Sequence, residues 1–451
     1  MCDTDTGPNT GSIISLNAIG KQDTYLLDNN KENSLYKYEQ KQHSNFTKFH
    51  RNFNVNRPND QVISDNWPFG ETIKVTLNPR NMGDLLSNMY LSINLPGLSG
   101  GNEYLADQIG RHIVKSVTMR VDELVVEKYH ADWGILYDEL YLDESEKRTK
   151  RYTINRNLAE DTSLEPGNQL LGQYNSKLLI PIPLFFSRKY ESDEYETNKP
   201  NRPYFPTCAI HKQKIIFEFE FFPKEFFTNR TGALSLESFD IITEEITLNS
   251  SERTYLSNTK QTFITDIVRK HPTIEIEAGK QETKLELVPN VPVKTLNWFF
   301  RRDEFENEKI SEGGGTTLRS NVFANRYNFS SNPEYSVTNE FFNPVMTSAK
   351  IYVNGQDIPN IQDSDHKYFK YVVPFSSRLS RPLRNIYTYA FSMNPINVEP
   401  SGSLDFSQLQ SNRTVLDVKL KEGLTNNYNL HLYYVGYQTF VFENGFMRLA
   451  Y

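Results

Sequence analysis

The sequence predicts an all-β protein built from two β-rich halves, and three observations carry that prediction. Phe, Tyr and Trp number 29, 26 and 3 among 451 residues, and Gly and Pro contribute 22 each, a mix that suits strands joined by many turns. Apolar residues recur in short blocks, several with period-two alternation, each bounded by Asn, Pro or Gly. The layout of the first half then restarts in the second. A hydrophobic fraction of 37%, gathered in such blocks, is enough for real cores and excludes global disorder.

Residues 1 to 12 are small and polar and read as a free arm. Strand blocks follow at His43–Asn56, Glu71–Leu77, Leu86–Leu95 and Ile113–Tyr129, the last broken at Asp122-Glu123. Between Ala131 and Arg151, Trp133, Leu136, Tyr137 and Leu140 follow helical spacing, so one amphipathic helix is expected there. Strands resume at Lys177–Phe186, Ile210–Phe222 and Ile241–Leu248, around an acidic, Pro-rich insertion from Tyr190 to Pro206. The first half closes near Asn249, and the polar stretch Ser250–Thr254 precedes the second set of blocks. These are Phe263–Glu277, Thr283–Val288, Val293–Phe300, Ala349–Ile358, Tyr368–Phe375, Ile386–Met393, Val415–Leu420 and Leu430–Phe442. Ser116–Leu124 and Ser348–Gln356 both read as strand, two-residue turn, strand, with Val121 and Val353 in register 232 positions apart. A duplicated sandwich fits that offset. In the second copy the turn is Asn354-Gly355, a pair that suits a type I′ hairpin.

Composition also excludes function classes. Forty-nine Lys and Arg against 56 Asp and Glu leave a net charge of −7, the wrong sign for a protein whose main task is neutralising phosphates. Cys2 and Cys208 are the only cysteines, too few for a disulfide framework or a thiolate zinc site, so a reducing compartment is expected. The longest apolar run, Leu178–Phe186, is nine residues and carries Pro181 and Pro183, against roughly 20 for a membrane span. No basic-then-apolar leader opens the chain, and Cys2 stands where myristoylation needs Gly. A soluble, unsecreted protein is the expectation.

Candidate catalytic groups are few. The histidines stand at 43, 50, 112, 130, 211, 271, 366 and 431, and no two share a strand face at i, i+2. Each is expected to be a surface or hydrogen-bonded residue rather than a metal ligand. Glu218 and Glu220 point the same way from one strand, as the paired carboxylates of a glycosidase would. Their alternation with Phe217, Phe219 and Phe221 is, however, what any half-buried strand produces, and Glu275 and Glu277 alternate with Ile274 and Ile276 in the same way. Gly313-Gly314-Gly315 lacks the Lys-Ser/Thr pair of a phosphate cradle and reads as a loop. Lys147-Arg148-Thr149-Lys150-Arg151 has Asp143, Glu144 and Glu146 about one turn before it and reads as a solvated helix end. Asn45, Asn229, Asn249, Asn328 and Asn412 head formal glycosylation triplets that an Asn-rich chain generates by chance.

Eight strings, in order along the chain, then carry a family resemblance. Leu16–Leu26 resembles the N-terminal segment of major capsid proteins of nucleocytoplasmic large DNA viruses. His43-Ser44-Asn45-Phe46 is similar to the family's basic-Thr-Asn-Phe block, and Glu127–Trp133 to the segment leading into its Asp-Trp helix. Pro181–Phe186 resembles its Pro-Leu-Pro strand, Ser251–Thr254 its joint between two jelly rolls, and Val353–Asp357 its Asn-Gly-Gln turn. Pro400–Ser407 resembles its Pro-Ser-Gly block and Gly445–Tyr451 its terminal strand. Asp122-Glu123, Asp405 and Arg448 depart from the family's Gly pair, Asn and Gly.

The resemblance implies two tandem eight-stranded jelly-roll β-sandwiches with a few short helices in loops: an arm at 1–20, a first roll at 21–249 and a second at 250–451. It implies a capsid subunit, three chains to a pseudo-hexagonal capsomer of an icosahedral shell, made in the host cytoplasm and resident in the virion. Its partners would be further copies of itself, minor capsid and penton proteins, and an inner membrane beneath the shell, without direct nucleic-acid contact. No catalytic, cofactor-binding or metal residue is expected. The competing reading is a carbohydrate-binding or glycoside-cleaving β-sandwich.

Overall fold

A computed structural model describes residues 45–58, 64–97, 105, 106, 108–154, 176–190, 203–307, 325–333, 337–358, 364–397, 399–409 and 411–450. The N-terminal arm, the Leu16–Leu26 string, Cys2, His43, most of the acidic insertion and the Gly313–Gly315 loop lie outside the described residues. Thr47–Tyr451 is one compact unit and Met1–Phe46 another.

Four antiparallel sheets account for the strands. One runs β1 (Thr47–Asn56), β8 (Ser238–Thr247), β3 (Leu85–Leu95), β6 (Ser176–Pro181), and the sheet that partners it runs β2 (Thr72–Leu77), β7 (Ile215–Phe221), β4 (Val114–Val121), β5 (Leu124–His130). The second half repeats this order. β10 (Ile274–Ile276), β18 (Tyr428–Glu443), β12 (Pro292–Arg302) and β15 (Tyr387–Ala390) form one path, and β11 (Glu282–Glu286), β17 (Val415–Leu420), β13 (Met346–Val353) and β14 (Gln356–Ile358) the other. Three more strands, β9 (Gln261–Lys270), β16 (Leu404–Asp405) and β19 (Phe446–Ala450), extend the first of these sheets to seven. The fold is two jelly rolls, the second carrying more than eight strands.

The duplication is visible at single-residue level. β4 slips against β7 between Val114 and Ser116, and β13 slips against β17 between Met346 and Ser348, again 232 positions on. Asp122 and Asn354, at the same offset, both open their hairpins with φ of 51°. Gly355 follows at 83°, which gives the type I′ geometry expected from Asn-Gly. Each half also bulges its central strand, between Leu86 and Asn88 in β3 and between Val293 and Thr295 in β12.

Alternation produces the strands that face solvent. β7 buries Ile215, Phe217, Phe219 and Phe221 and leaves Ile216, Glu218 and Glu220 half-covered, so its aromatic face meets Phe69 and Phe239 in the first core. Each such phenyl contributes about 1.5–3 kcal/mol of burial. The second core centres on Trp298, Phe369 and Tyr387. Phe185 and Phe440, with ring centroids 5.2 Å apart, join the two cores into one continuous cluster.

Three expectations need correction. The single helix over Ala131–Arg151 is two, α1 (Ala131–Leu140) and α2 (Glu144–Ile154). Asp143 accepts from the Glu146 amide at 2.8 Å while Glu146 accepts from the Asp143 amide at 3.1 Å, a capping box that starts a new helix. Nor is α1 amphipathic, since every residue except Asp138 is buried. Tyr368–Phe375 is no strand. It forms a π-helical turn, Tyr368–Val372, that continues as an α-helical turn with Pro374 in its first positions, and short apolar runs do not reveal their period. The polar stretch after Asn249 is a third helix, α3 (Ser250–Asn258), capped by the Asn249 side chain.

Candidate functional site: the charged seam between the sandwiches

β3, β5, β12 and β14 leave their sheets through the long connections 96–113, 131–175, 303–345 and 359–386, while the two hairpin turns close the opposite ends of the strands. The described parts of these connections bring the sandwiches together. α1 enters directly from β5, so its position is set by the first sandwich, and its acidic residues meet cations of the second.

Asp132 Oδ1 accepts from Arg301 Nη2 at 2.6 Å, and the Arg326 guanidinium stands 3.6 Å away. Burial alone would raise the Asp132 pKa, but Arg301 and Arg326 outweigh it and hold the carboxyl well below its ordinary range. Arg301 is 0% exposed and also binds Glu306 at 3.0 Å. Burial would lower its pKa, yet Asp132 and Glu306 push it upward. His431 contacts Glu306 in turn. Burial lowers the His431 pKa against that carboxylate.

Two further ties run parallel to the first. Glu139 of α1 accepts from Arg384 Nη1 at 2.8 Å and from the Leu383 amide at 2.7 Å. Glu127 of β5 accepts from Arg188 at 2.7 Å and from the Val268 amide of β9 at 2.8 Å, and Arg188 donates onward to the Asp266 carbonyl. Lys294, buried in β12, binds Asp266 at 2.7 Å. Neutral contacts complete the seam: Tyr327 Oη donates to the Arg111 carbonyl at 2.7 Å, and the Met447 amide donates to Gln213 at 2.6 Å near the C-terminal strand. Gly134 leaves room for this packing, because a Cβ there would stand 3.0 Å from Arg111 Nη1 and nearer still to the Tyr129 hydroxyl. Chemically the seam offers fixed, mutually neutralised charges, which suit a rigid joint.

The residues singled out in the sequence lie elsewhere. Glu218 is engaged by Lys74 and Arg120 at 3.5 and 3.2 Å, and Glu220 by Lys115 and Ser116 at 2.6 and 2.9 Å. Burial would raise the Glu220 pKa, and its lysine and serine partners lower it instead. Glu275 and Glu277 are exposed. The basic run is not wholly solvated: Lys147 pairs with Glu144 at 3.2 Å, but Lys150 is buried against Asp138. It turns inward because α2 packs on β6 and beside Arg111. His112 departs from expectation too, being buried with Nδ1 lacking a hydrogen-bond partner among the described residues. Burial, with Arg326, Arg384 and Arg301 nearby, lowers its pKa to about 3. Asn328 is fully buried, with its Oδ1 bound by Ser330, so it is closed to glycosylation in the folded chain. No group of three or more His, Cys, Asp or Glu side chains is arranged to hold a metal among the described residues.

Sequence reasoning missed Arg301, Lys294, Arg326 and Arg384. A signal existed for the first two, since Lys294 and Arg301 flank Thr295–Phe300, a mostly uncharged run that is buried on both faces, where a charge must find a partner.

Comparison with known proteins bears on the whole arrangement. The chain is 22% identical over 423 residues to the major capsid protein of Paramecium bursaria Chlorella virus 1, covering 89% of this chain and 86% of that one. It is 23% identical over 470 residues to the major capsid protein of Pyramimonas orientalis virus, covering 98% and 99%. Among solved structures, VP54 of PBCV-1 matches with a TM-score of 0.69 at 18% identity, over 93% of this chain and 100% of that one. The Faustovirus major capsid protein matches with a TM-score of 0.62 at 10% identity, over 90% and 92%. Residues 34–254 match the family described as major capsid protein N-terminus, and residues 252–445 the one described as large eukaryotic DNA virus major capsid protein. With those two matches meeting at α3 and the paired jelly rolls on either side of it, the chain belongs to the major capsid proteins of large eukaryotic DNA viruses.

Proposed function

We propose that three copies of the chain form a capsomer, with six sandwiches around a threefold axis making a pseudo-hexagonal tile of an icosahedral shell. The observation that carries this reading is the rigid pairing of two sandwiches with the same strand order. One chain then supplies two near-equivalent sides of a tile, and threefold symmetry supplies the rest. The division between rolls at 249 and 250 is supported by strand pairing, since among the described residues β1–β8 pair only with one another, as do β9–β19; the arm at 1–20 and the start of the first roll at 21 lie outside the described residues.

The tile needs no chemistry, and the engagement of Glu218 and Glu220 by cations supports a structural role for both. Minor capsid and penton proteins and an inner membrane are the further partners in this reading, with synthesis in the host cytoplasm. A net charge of −7 supports the absence of direct nucleic-acid contact. Light scattering on the purified protein at two salt concentrations tests the trimer. A particle of three times 52.4 kDa is expected in both, since apolar contacts are not screened by salt. A folded monomer at micromolar concentration in both would overturn it.

A further inference from the structure

Among the described residues the chain buries four lysines, Lys150, Lys224, Lys294 and Lys370. An ammonium carries three donors and no acceptor, so its burial is tolerable only where oxygens meet it. Three of the four are met in this way. Lys224 donates to the Thr231 and Gly232 carbonyls at 3.3 and 2.6 Å. Lys294 donates to Asp266 and to the Asn397 carbonyl at 2.7 and 3.0 Å. Lys370 donates to the Glu340 and Leu383 carbonyls and to Asn385 at 3.1, 3.3 and 2.8 Å.

Lys150 differs. Its Nζ is buried without a hydrogen-bond partner among the described residues, where its one ion-pair partner is Asp138. Arg111 already holds both oxygens of that carboxylate, at 3.0 and 3.1 Å, so two buried cations share one anion. Burial first, and Arg111 after it, push the Lys150 pKa well below its ordinary value, and a second anion close by would act in the opposite direction.

Space for such an anion lies beside Lys150. A cavity of about 300 Å³ sits between α2, β3 and the segment that follows β6, walled mainly by Tyr90, Tyr137, Leu142, Pro181, Ile182 and Pro183. Of the other charged residues that line it, Lys189 and Glu146 pair with each other at 2.9 Å, and Arg111 also donates to the Tyr129 hydroxyl and the Pro181 carbonyl at 2.7 and 3.2 Å. Lys150 is therefore the unmatched charge in a largely apolar hollow, whose volume stands at the small end of the range of ligand pockets.

We propose that this cavity binds a small anionic amphiphile, a carboxylate or phosphate monoester on a short apolar chain, with its head group on Lys150 and its chain against Tyr90, Leu142 and Ile182. The inference does not depend on the trimer reading.

The test is calorimetric titration of the purified full-length protein with decanoate and with decyl phosphate, each below its micelle concentration, alongside decanol and inorganic phosphate. One saturable site per chain is expected for at least one of the two amphiphiles, and the tighter of them identifies the head group. Decanol, which lacks the charge, and inorganic phosphate, which lacks the chain, should each bind at least about tenfold more weakly. Lys150→Met keeps most of the bulk of the side chain and should bring the amphiphile's affinity down to that of decanol, with the far-ultraviolet circular dichroism unchanged. A measurement on the wild type needs no variant: a diazirine-bearing analogue of the tighter amphiphile, photo-cross-linked and mapped by mass spectrometry, is expected on cavity residues such as Leu142 or Ile182, with excess unlabelled amphiphile competing it away. The proposal is overturned by the absence of a saturable site for either amphiphile, by equal binding of decanol, by an undiminished affinity in folded Lys150→Met, or by labels confined to other surfaces.

Discussion

Two sets of ion pairs in this chain use the same residue types under opposite conditions. On the outer face of β2, β7 and β4, Lys74, Arg120 and Lys115 meet Glu218 and Glu220, with side chains between 25% and 58% exposed. In the seam, Asp132, Arg301 and Glu306 meet at between 0% and 19% exposure. Water and salt can replace any partner on the outer face, so those pairs each contribute about 0–1 kcal/mol. Neither can reach Arg301. A buried charge without its partner is strongly unfavourable, so the seam tolerates one arrangement of the two sandwiches and penalises others. The difference is one of surroundings, and it turns a weak surface decoration into a joint.

The comparison breaks most readily at its buried end. Arg301→Ala is expected to lower unfolding free energy by about 3–5 kcal/mol, because it leaves Asp132 buried, and Glu306 half-buried, without their main cation. Urea unfolding measures this, and Asp132→Asn in the same chain should recover part of the loss. A loss no greater than that of Lys115→Ala would mean that the seam is as solvated as the outer face.

Acid sharpens the contrast next. The folded pKa of His112 is lowered from 6.5 to about 3 by burial first and by Arg326, Arg384 and Arg301 after it, and burial lowers that of His130 to about 4. The unfolded chain therefore binds more protons than the folded one between those values and 6.5. Stability is fully present above pH 6.5 and falls as the pH drops toward 4, by up to about 1.4 kcal/mol per pH unit for each histidine. His112→Gln should remove its share of that slope, and an unchanged slope in denaturant midpoints between pH 6.5 and 4.5 would show that His112 is not buried neutral. The smallest effect belongs to the outer face, where Glu220→Gln should change stability by about 1 kcal/mol or less and leave assembly intact. Loss of a sugar-hydrolysing activity in that variant would instead revive a catalytic reading of the pair.

Much of the fold was legible in local pattern. Alternation in Ile215–Phe221 set which face of β7 is buried, Asn354-Gly355 set its turn, and the 232-residue offset recovered a duplication whose bulges fall at matching positions. These features depend on neighbours in the chain, and the period of a strand or the φ of a turn is written there. The capping box Asp143-Glu146 is equally local, and it divides the single expected helix into two. Tyr368–Phe375 was different, because its helical form rests on Lys370 reaching Glu340, Leu383 and Asn385 from separate segments. The seam was beyond any pattern. Asp132 and Arg301 are 169 positions apart, and only the tertiary structure decides that two charges so distant in the chain share one buried site, since pairing of that kind depends on where whole sandwiches meet and not on spacing along a strand.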